Sequence, residues 1–228
     1  MLSSTYGFLR KINYSIFKKV IFEKGVKIDR KSEFKGYNKI YRKAELVNCH
    51  IGIGTYVGYS SKLINCSIGR FSSIGPEVRT VVGSHPSKIY ASTHPAFYSM
   101  RKQAGFTFAD KQYFSEYKVF DSENSLGINI GNDVWVGQGA MILEGVTIGD
   151  GAIVAAGCVV HKNIEPYAIY AGCPQSLLKF RFEKDEIDFL IKLQWWNMDF
   201  NFLKTNFTLF HNIKDLMKFF PSLLSKNL

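Results

Sequence analysis

Two histidines, each followed by proline, stand nine residues apart in the stretch SHPSKIYASTHPAFYS, residues 84–99: His85-Pro86 and His94-Pro95. An imidazole titrates near neutrality, so such a residue can take a proton from a reacting hydroxyl and give it back within one turnover. Proline biases the residue before it toward extended backbone, and it does so at both positions, so the local sequence does not separate the two histidines. His50, His161 and His211 have no sequence neighbour that suggests chemistry. Cys49, Cys66, Cys158 and Cys173 form no CxxC pair and have no histidine at zinc-ligand spacing. They read as buried small residues, and neither a disulfide framework nor a metal site is expected.

The elements that must position the histidines are repetitive. From Ile130 an aliphatic residue returns every sixth position, through Val136, Ile142, Ile148, Val154 and Val160, often followed by a small one such as Gly131, Gly137 or Gly149. A period of six fits neither a helix nor a simple strand. It fits a solenoid of very short strands, each repeat one side of a coil, with glycines at the corners. An earlier block repeats the grammar at Ile51, Val57, Leu63, Ile68 and Ile74. Each block would stack roughly two coils at about 4.8 Å spacing, and the open ends would need caps.

Both His-Pro pairs fall in the insert between the blocks, residues 83–127. The predicted organisation is a basic segment over 1–43, the coil with its insert over 44–165, and an exit segment with a helical region over 166–228. In EKDEIDFLIKLQWWNMDF, acidic residues crowd a helix start and Ile187, Leu190, Ile191 and Leu193 supply an apolar face. Trp195 and Trp196 read as packing residues. The tail from Phe200, ending MKFFPSLLSKNL, reads as further helix, either docked or facing a membrane.

The chain has 228 residues, 46% hydrophobic, enough for one sizeable core. It has no apolar run of 18 residues and no secretory leader, so a cytoplasmic protein is expected. The net charge of +10 is concentrated: residues 1–43 carry twelve Lys/Arg against three Asp/Glu. The choices are a solvated arm or a face for an anionic polymer, nucleotide or membrane headgroups. No nucleic-acid-binding motif accompanies the charge, so a nucleic-acid partner is not expected. Phe8, Leu9, Ile12, Ile16, Phe17, Val20 and Ile21 recur at helical spacing, which implies packing on the body or, as the second reading, peripheral membrane contact.

Taken in order, IGRFSSIG, GSHPSKIYASTHPAF, IGNDVWVGQGAMILEGVTIGDGAIVAAGCVV and YAIYAGCPQSLLKFRF resemble the hexapeptide-repeat acyltransferases, over about residues 50–196. The branch is that of chloramphenicol and streptogramin acetyltransferases and related O-acetyltransferases of bacterial polysaccharide synthesis. The resemblance implies an all-β, left-handed parallel β-helix, a homotrimer with sites between subunits, and direct acetyl transfer from acetyl-CoA to a hydroxyl. It implies His85 as general base, with His94 at a position where the branch carries a non-basic residue. It places Trp135, Gly137, Gly139, Ala155, Ala156, Gly157, Lys162, Lys179 and Arg181 along CoA. His94, Tyr90, Phe97, Tyr98 and Phe106 are the acceptor-side candidates. The expected acceptor is a sugar hydroxyl of surface polysaccharide, anionic or lipid-linked; a drug is the alternative, and a noncatalytic scaffold the reading from another class.

Overall fold

The residues of the six-residue period point inward, and successive coils stack them into three ladders. The computed structural model describes residues 2–224; the side chain of Phe8 and residues 225–228, the end of the tail, lie outside the described residues. On the first face the ladder runs Phe22, Ile40, Val57, Ile74, Val136, Val154, Tyr170. On the second it runs Ile28, Leu46, Leu63, Thr80, Ile142, Val160. The third holds Phe34, Ile51, Ile68, Ile130, Ile148 and Ile164. Every member of the period from Ile130 to Val160 is at most 1% exposed. Burying one such side chain is worth about 1.5–3 kcal/mol, so the pattern itself is the main source of the fold. The result is a parallel β-helix closed at its C-terminal edge by an antiparallel strand, Ser176–Phe180.

The coil begins earlier than the sequence pattern suggested. Ile21–Phe22, Lys27–Ile28, Glu33–Phe34 and Lys39–Ile40 are already strands, so the boundary placed at residue 44 moves back to Ile21. The first face alone carries seven parallel strands, a longer stack than two blocks of about two coils. Ahead of it, helix α1 (Leu2–Lys18) lies across the open end. Arg10 donates to the carbonyls of Asp29 (2.7 Å) and Ser32 (2.8 Å), Lys11 to that of Val26, and Lys18 to that of Phe34 (3.2 Å). The Tyr14 ring meets Phe34 edge-on at 5.1 Å. Three of the twelve N-terminal cations thus cap carbonyls that have no preceding coil to bond to.

The three corners of the coil differ. Between the first and second faces runs a column of left-handed residues: Lys43, Ser60, Glu77, Gly139 and Gly157. Between the second and third, Asn48 and Asn65 make the bend, and on the next coil the insert leaves after Val81 and returns at Ile128. Between the third and first, Phe71, Asp133, Gly151 and Tyr167 stack and the C-terminal helices cover them.

Those helices are α2 (Lys184–Leu193), α3 (Phe200–Thr205) and α4 (Ile213–Phe219). Glu183 and Glu186 form a reciprocal capping box at the start of α2. Phe189, Leu190, Leu193 and Leu216 build a second core with Tyr167. Ile191, expected on the apolar face, is 41% exposed, and Phe189 takes its place. The tail is docked through its described residues, with Phe200 stacked on Tyr37 at 4.6 Å. Cys173 is exposed, unlike the other three cysteines.

Candidate active site

His85 stands on the first stretch of the insert. Gly83, two residues earlier, donates its N–H to the Glu144 carboxylate (3.0 Å), and Ser84 donates its N–H to the Glu116 carbonyl (2.8 Å), so the backbone leading into His85 is tied down. Its Nδ1 lies 2.8 Å from the Thr93 carbonyl oxygen and 2.7 Å from the Tyr98 hydroxyl. A carbonyl only accepts, so Nδ1 carries the ring proton and Nε2 keeps its lone pair. The Tyr98 hydroxyl reaches the same carbonyl at 3.3 Å, closing a small triangle. Burial, helped by the Glu116 charge, pushes the Tyr98 phenol up, which keeps it a neutral donor.

The remaining insert residues divide into scaffold and surface. Tyr98 is fully buried, so it supports His85 and cannot stack on an acceptor as expected. Tyr90 donates its hydroxyl to the Tyr113 carbonyl (3.0 Å) and packs edge-on against Tyr98 and Phe114. It too is framework. Phe97 (54% exposed), Phe106 (48%) and Phe108 form an exposed aromatic cluster, with the His94 ring stacked over Phe106 at 6.1 Å. The His94 Nδ1 accepts from the Ala96 N–H (3.2 Å), which leaves it less free than His85 to move a proton. Glu116, which the sequence did not single out, holds this loop together. Its buried carboxylate accepts from Ser99 (2.6 Å), Gln112 (3.0 Å) and Gln103.

The small residues gather at the corner between the first and second faces. Gly139 and Gly157 are both left-handed and stacked, with Gly157 N–H donating to the Gln138 carbonyl at 2.8 Å. A Cβ added at either would meet no atom of the chain beyond its immediate neighbours within 4 Å. The equivalent positions in earlier coils are Lys43, Ser60 and Glu77, so the turn tolerates ordinary residues. Gly137 differs, since a Cβ there would lie 2.5 Å from the Ala156 nitrogen and force the coils apart. Ala155 is half-buried, Ala156 exposed, and Trp135 projects outward, half exposed, on the adjoining face.

Residues 127–162 match the family model described as bacterial transferase hexapeptide (six repeats). A chloramphenicol acetyltransferase of Morganella morganii is 33% identical over 182 residues, spanning 79% of this chain and 79% of that protein. The chain belongs to the hexapeptide-repeat acetyltransferases. A probable macrolide acetyltransferase of Lysinibacillus sphaericus is 57% identical over a shorter stretch of 68 residues, 30% of this chain and 38% of that relative. The crystal structure of a hexapeptide-repeat-containing acetyltransferase from Vibrio cholerae shares the fold at TM-score 0.50 and 20% identity, covering 78% of this chain and 82% of that one.

As a hexapeptide-repeat acetyltransferase the protein is an enzyme that uses acetyl-CoA, and the scaffold reading falls. The open strip at Gly139 and Gly157 fits such a cosubstrate, because exposed backbone with no side chains lets a slender arm approach closely. Lys162 and Lys179 are exposed cations that could meet phosphate. Arg181 departs from the expectation. It sits at the third corner, 3.1 Å from the Asp133 carboxylate, and donates to the Gly151 carbonyl at 2.7 Å, so its charge is already committed. Among the described residues no helix is long and apolar enough to cross a membrane.

Proposed function

We propose that this hexapeptide-repeat acetyltransferase moves acetyl from acetyl-CoA to a sugar hydroxyl of a bacterial surface polysaccharide such as capsule or O-antigen, with His85 as general base. The observation that carries the mechanism is the Nδ1 contact with the Thr93 carbonyl, which leaves Nε2 as the free basic atom. Nε2 takes the proton of the acceptor hydroxyl as its oxygen attacks the thioester carbonyl. The tetrahedral intermediate collapses, the C–S bond breaks, and the imidazolium returns the proton to the leaving thiolate. Such base catalysis contributes about 10²- to 10⁴-fold.

His85 and the open strip belong to different corners of one subunit. A side of the coil is on the order of 15 Å long, and His85 lies at most about 7 Å along the chain from Gly83. This supports a homotrimer in which His85 of one subunit works on acetyl-CoA held by the strip of its neighbour. Trp135, Leu177, Leu178 and Phe180, all exposed and apolar on the first face, supply surface for that contact.

The exposed cluster of Phe97, Phe106 and Phe108 suits a sugar ring, whose C–H face packs on aromatics. Exposed Leu9, Ile16 and Phe17 on α1 support contact with the inner face of the membrane, as a lipid-linked acceptor in the cytoplasm would require. Drug acetylation is the second reading, favoured by the 33% identity to a chloramphenicol acetyltransferase. The test is transfer of labelled acetyl to purified deacetylated polysaccharide or its lipid-linked unit, beside chloramphenicol. His85→Ala should lower kcat at least 100-fold and leave acetyl-CoA binding unchanged. Full activity in that variant, with loss in His94→Ala, would overturn the assignment.

A further inference from the structure

A buried acid stands where the insert leaves the coil. Glu144 follows the second-face strand Met141–Leu143 and is 9% exposed. Its N–H donates to the Val81 carbonyl (2.9 Å), which continues the parallel ladder up to the point of departure. In a parallel ladder the next bond would run from the Gly83 N–H to the main-chain carbonyl of Glu144. Here the Gly83 N–H donates instead to the carboxylate of that residue, at 3.0 Å from Oε2, and Gly83 turns away in the left-handed region with φ +87°. The side chain therefore ends the strand and sets the direction in which the chain departs, two residues before His85.

The returning stem lies against the same group. Gly127 donates its N–H to the Asn65 carbonyl (2.9 Å) and accepts from the Gly145 N–H (2.7 Å). A Cβ at Gly127 would lie 2.8 Å from the Glu144 Cγ and 2.9 Å from its Oε1, so glycine there leaves room for the carboxylate between the two stems. Oε1 is buried and has no hydrogen-bond partner among the described residues. An acid with one oxygen buried and unsatisfied is a costly way to finish a strand, which calls for a role beyond packing.

We propose that Glu144 is a positioning residue: its carboxylate fixes the departure of the insert at Gly83 and so holds His85 where acetyl transfer needs it. The inference rests on His85 being the base. Glu144 and Gly139 lie at opposite ends of one strand, so a change at Glu144 acts on turnover and leaves the acetyl-CoA strip intact.

Three variants test this. Glu144→Ala removes the acceptor, Glu144→Asp keeps a carboxylate but draws it back by one methylene, and Glu144→Gln keeps an oxygen within reach of Gly83. Thiol release from acetyl-CoA is read with deacetylated polysaccharide, chloramphenicol or water alone as acceptor, and acetyl-CoA binding by calorimetry shows that each variant is folded. The alanine and aspartate variants should lower kcat about tenfold with unchanged Kd for acetyl-CoA, while the glutamine variant stays within about threefold of the parent. In a His85→Ala background, Glu144→Ala should lower the residual rate no further, because both act through one group. Glu144→Asp decides the matter where the alanine variant does not fold. Full activity in the aspartate variant, a loss in Glu144→Gln equal to that in Glu144→Asp, a matching loss of acetyl-CoA binding, or an additive loss on top of His85→Ala would overturn the proposal. Full activity in His85→Ala alone would strike the base reading and this proposal with it, a result distinct from each of these.

Discussion

At the scale of single residues, the proposed base depends on what fixes the His85 ring. Two groups meet Nδ1, a backbone carbonyl and the Tyr98 hydroxyl. Tyr98→Phe removes one and leaves the other, so kcat should fall about 3- to 10-fold, the value of one hydrogen bond, with KM for acetyl-CoA unchanged; steady-state kinetics at saturating acceptor checks this. Only part of this site was legible in the sequence. His85 was separated from His94 by family resemblance, since the proline after each gives both the same bias. Its orienting partners were not legible, because one is a main-chain atom and the other an aromatic thirteen residues on that reads equally well as an acceptor platform. Glu116 was missed for a related reason: a single acid in a loop rich in Lys, Tyr and Phe carries no signal until the loop folds around it.

At the scale of elements, sequence and structure agree where one chemical signal repeats. The ladder residues from Ile130 to Val160 are all aliphatic, and every one is buried. The first coils follow the same period through Phe22, Ile28, Phe34 and Ile40, but two of the four are aromatic and lysines surround them, so charge masked the pattern. That charge has structural work in α1. Arg10→Ala should remove two bonds to the first coil's carbonyls and cost about 2 kcal/mol, read as a lower urea midpoint. At the other end, the Lys214 ammonium (2.7 Å) and the Glu183 N–H hold the Glu186 carboxyl below the usual 4.5. A depressed acid stabilises the fold fully above its unfolded value and loses that contribution as pH falls through the folded one. The packing of α2 on α4 should therefore loosen below about pH 4.5, and less steeply in Glu186→Gln, as an acid titration of tryptophan fluorescence would report.

At the scale of the whole molecule, the three corners of one coil divide the labour. One carries the insert and His85, one the open strip proposed for acetyl-CoA, and one the cavity under the C-terminal helices. Arg181 shows why sequence alone misassigned a residue between them: it follows the late repeats closely in the chain, yet the antiparallel turn of Ser176–Phe180 delivers it to the third corner. Because His85 and the strip lie on different corners, the proposed reaction requires that a site be completed by two subunits. The most direct measurement co-expresses two differently tagged variants, His85→Ala and Ala156→Trp, the second blocking the strip, and assays the mixed trimers. Each variant alone should be inactive, while a mixed cyclic trimer of either composition keeps about one third of its sites intact. Recovery near that level is the predicted result; mixed trimers as inactive as their parents would contradict it.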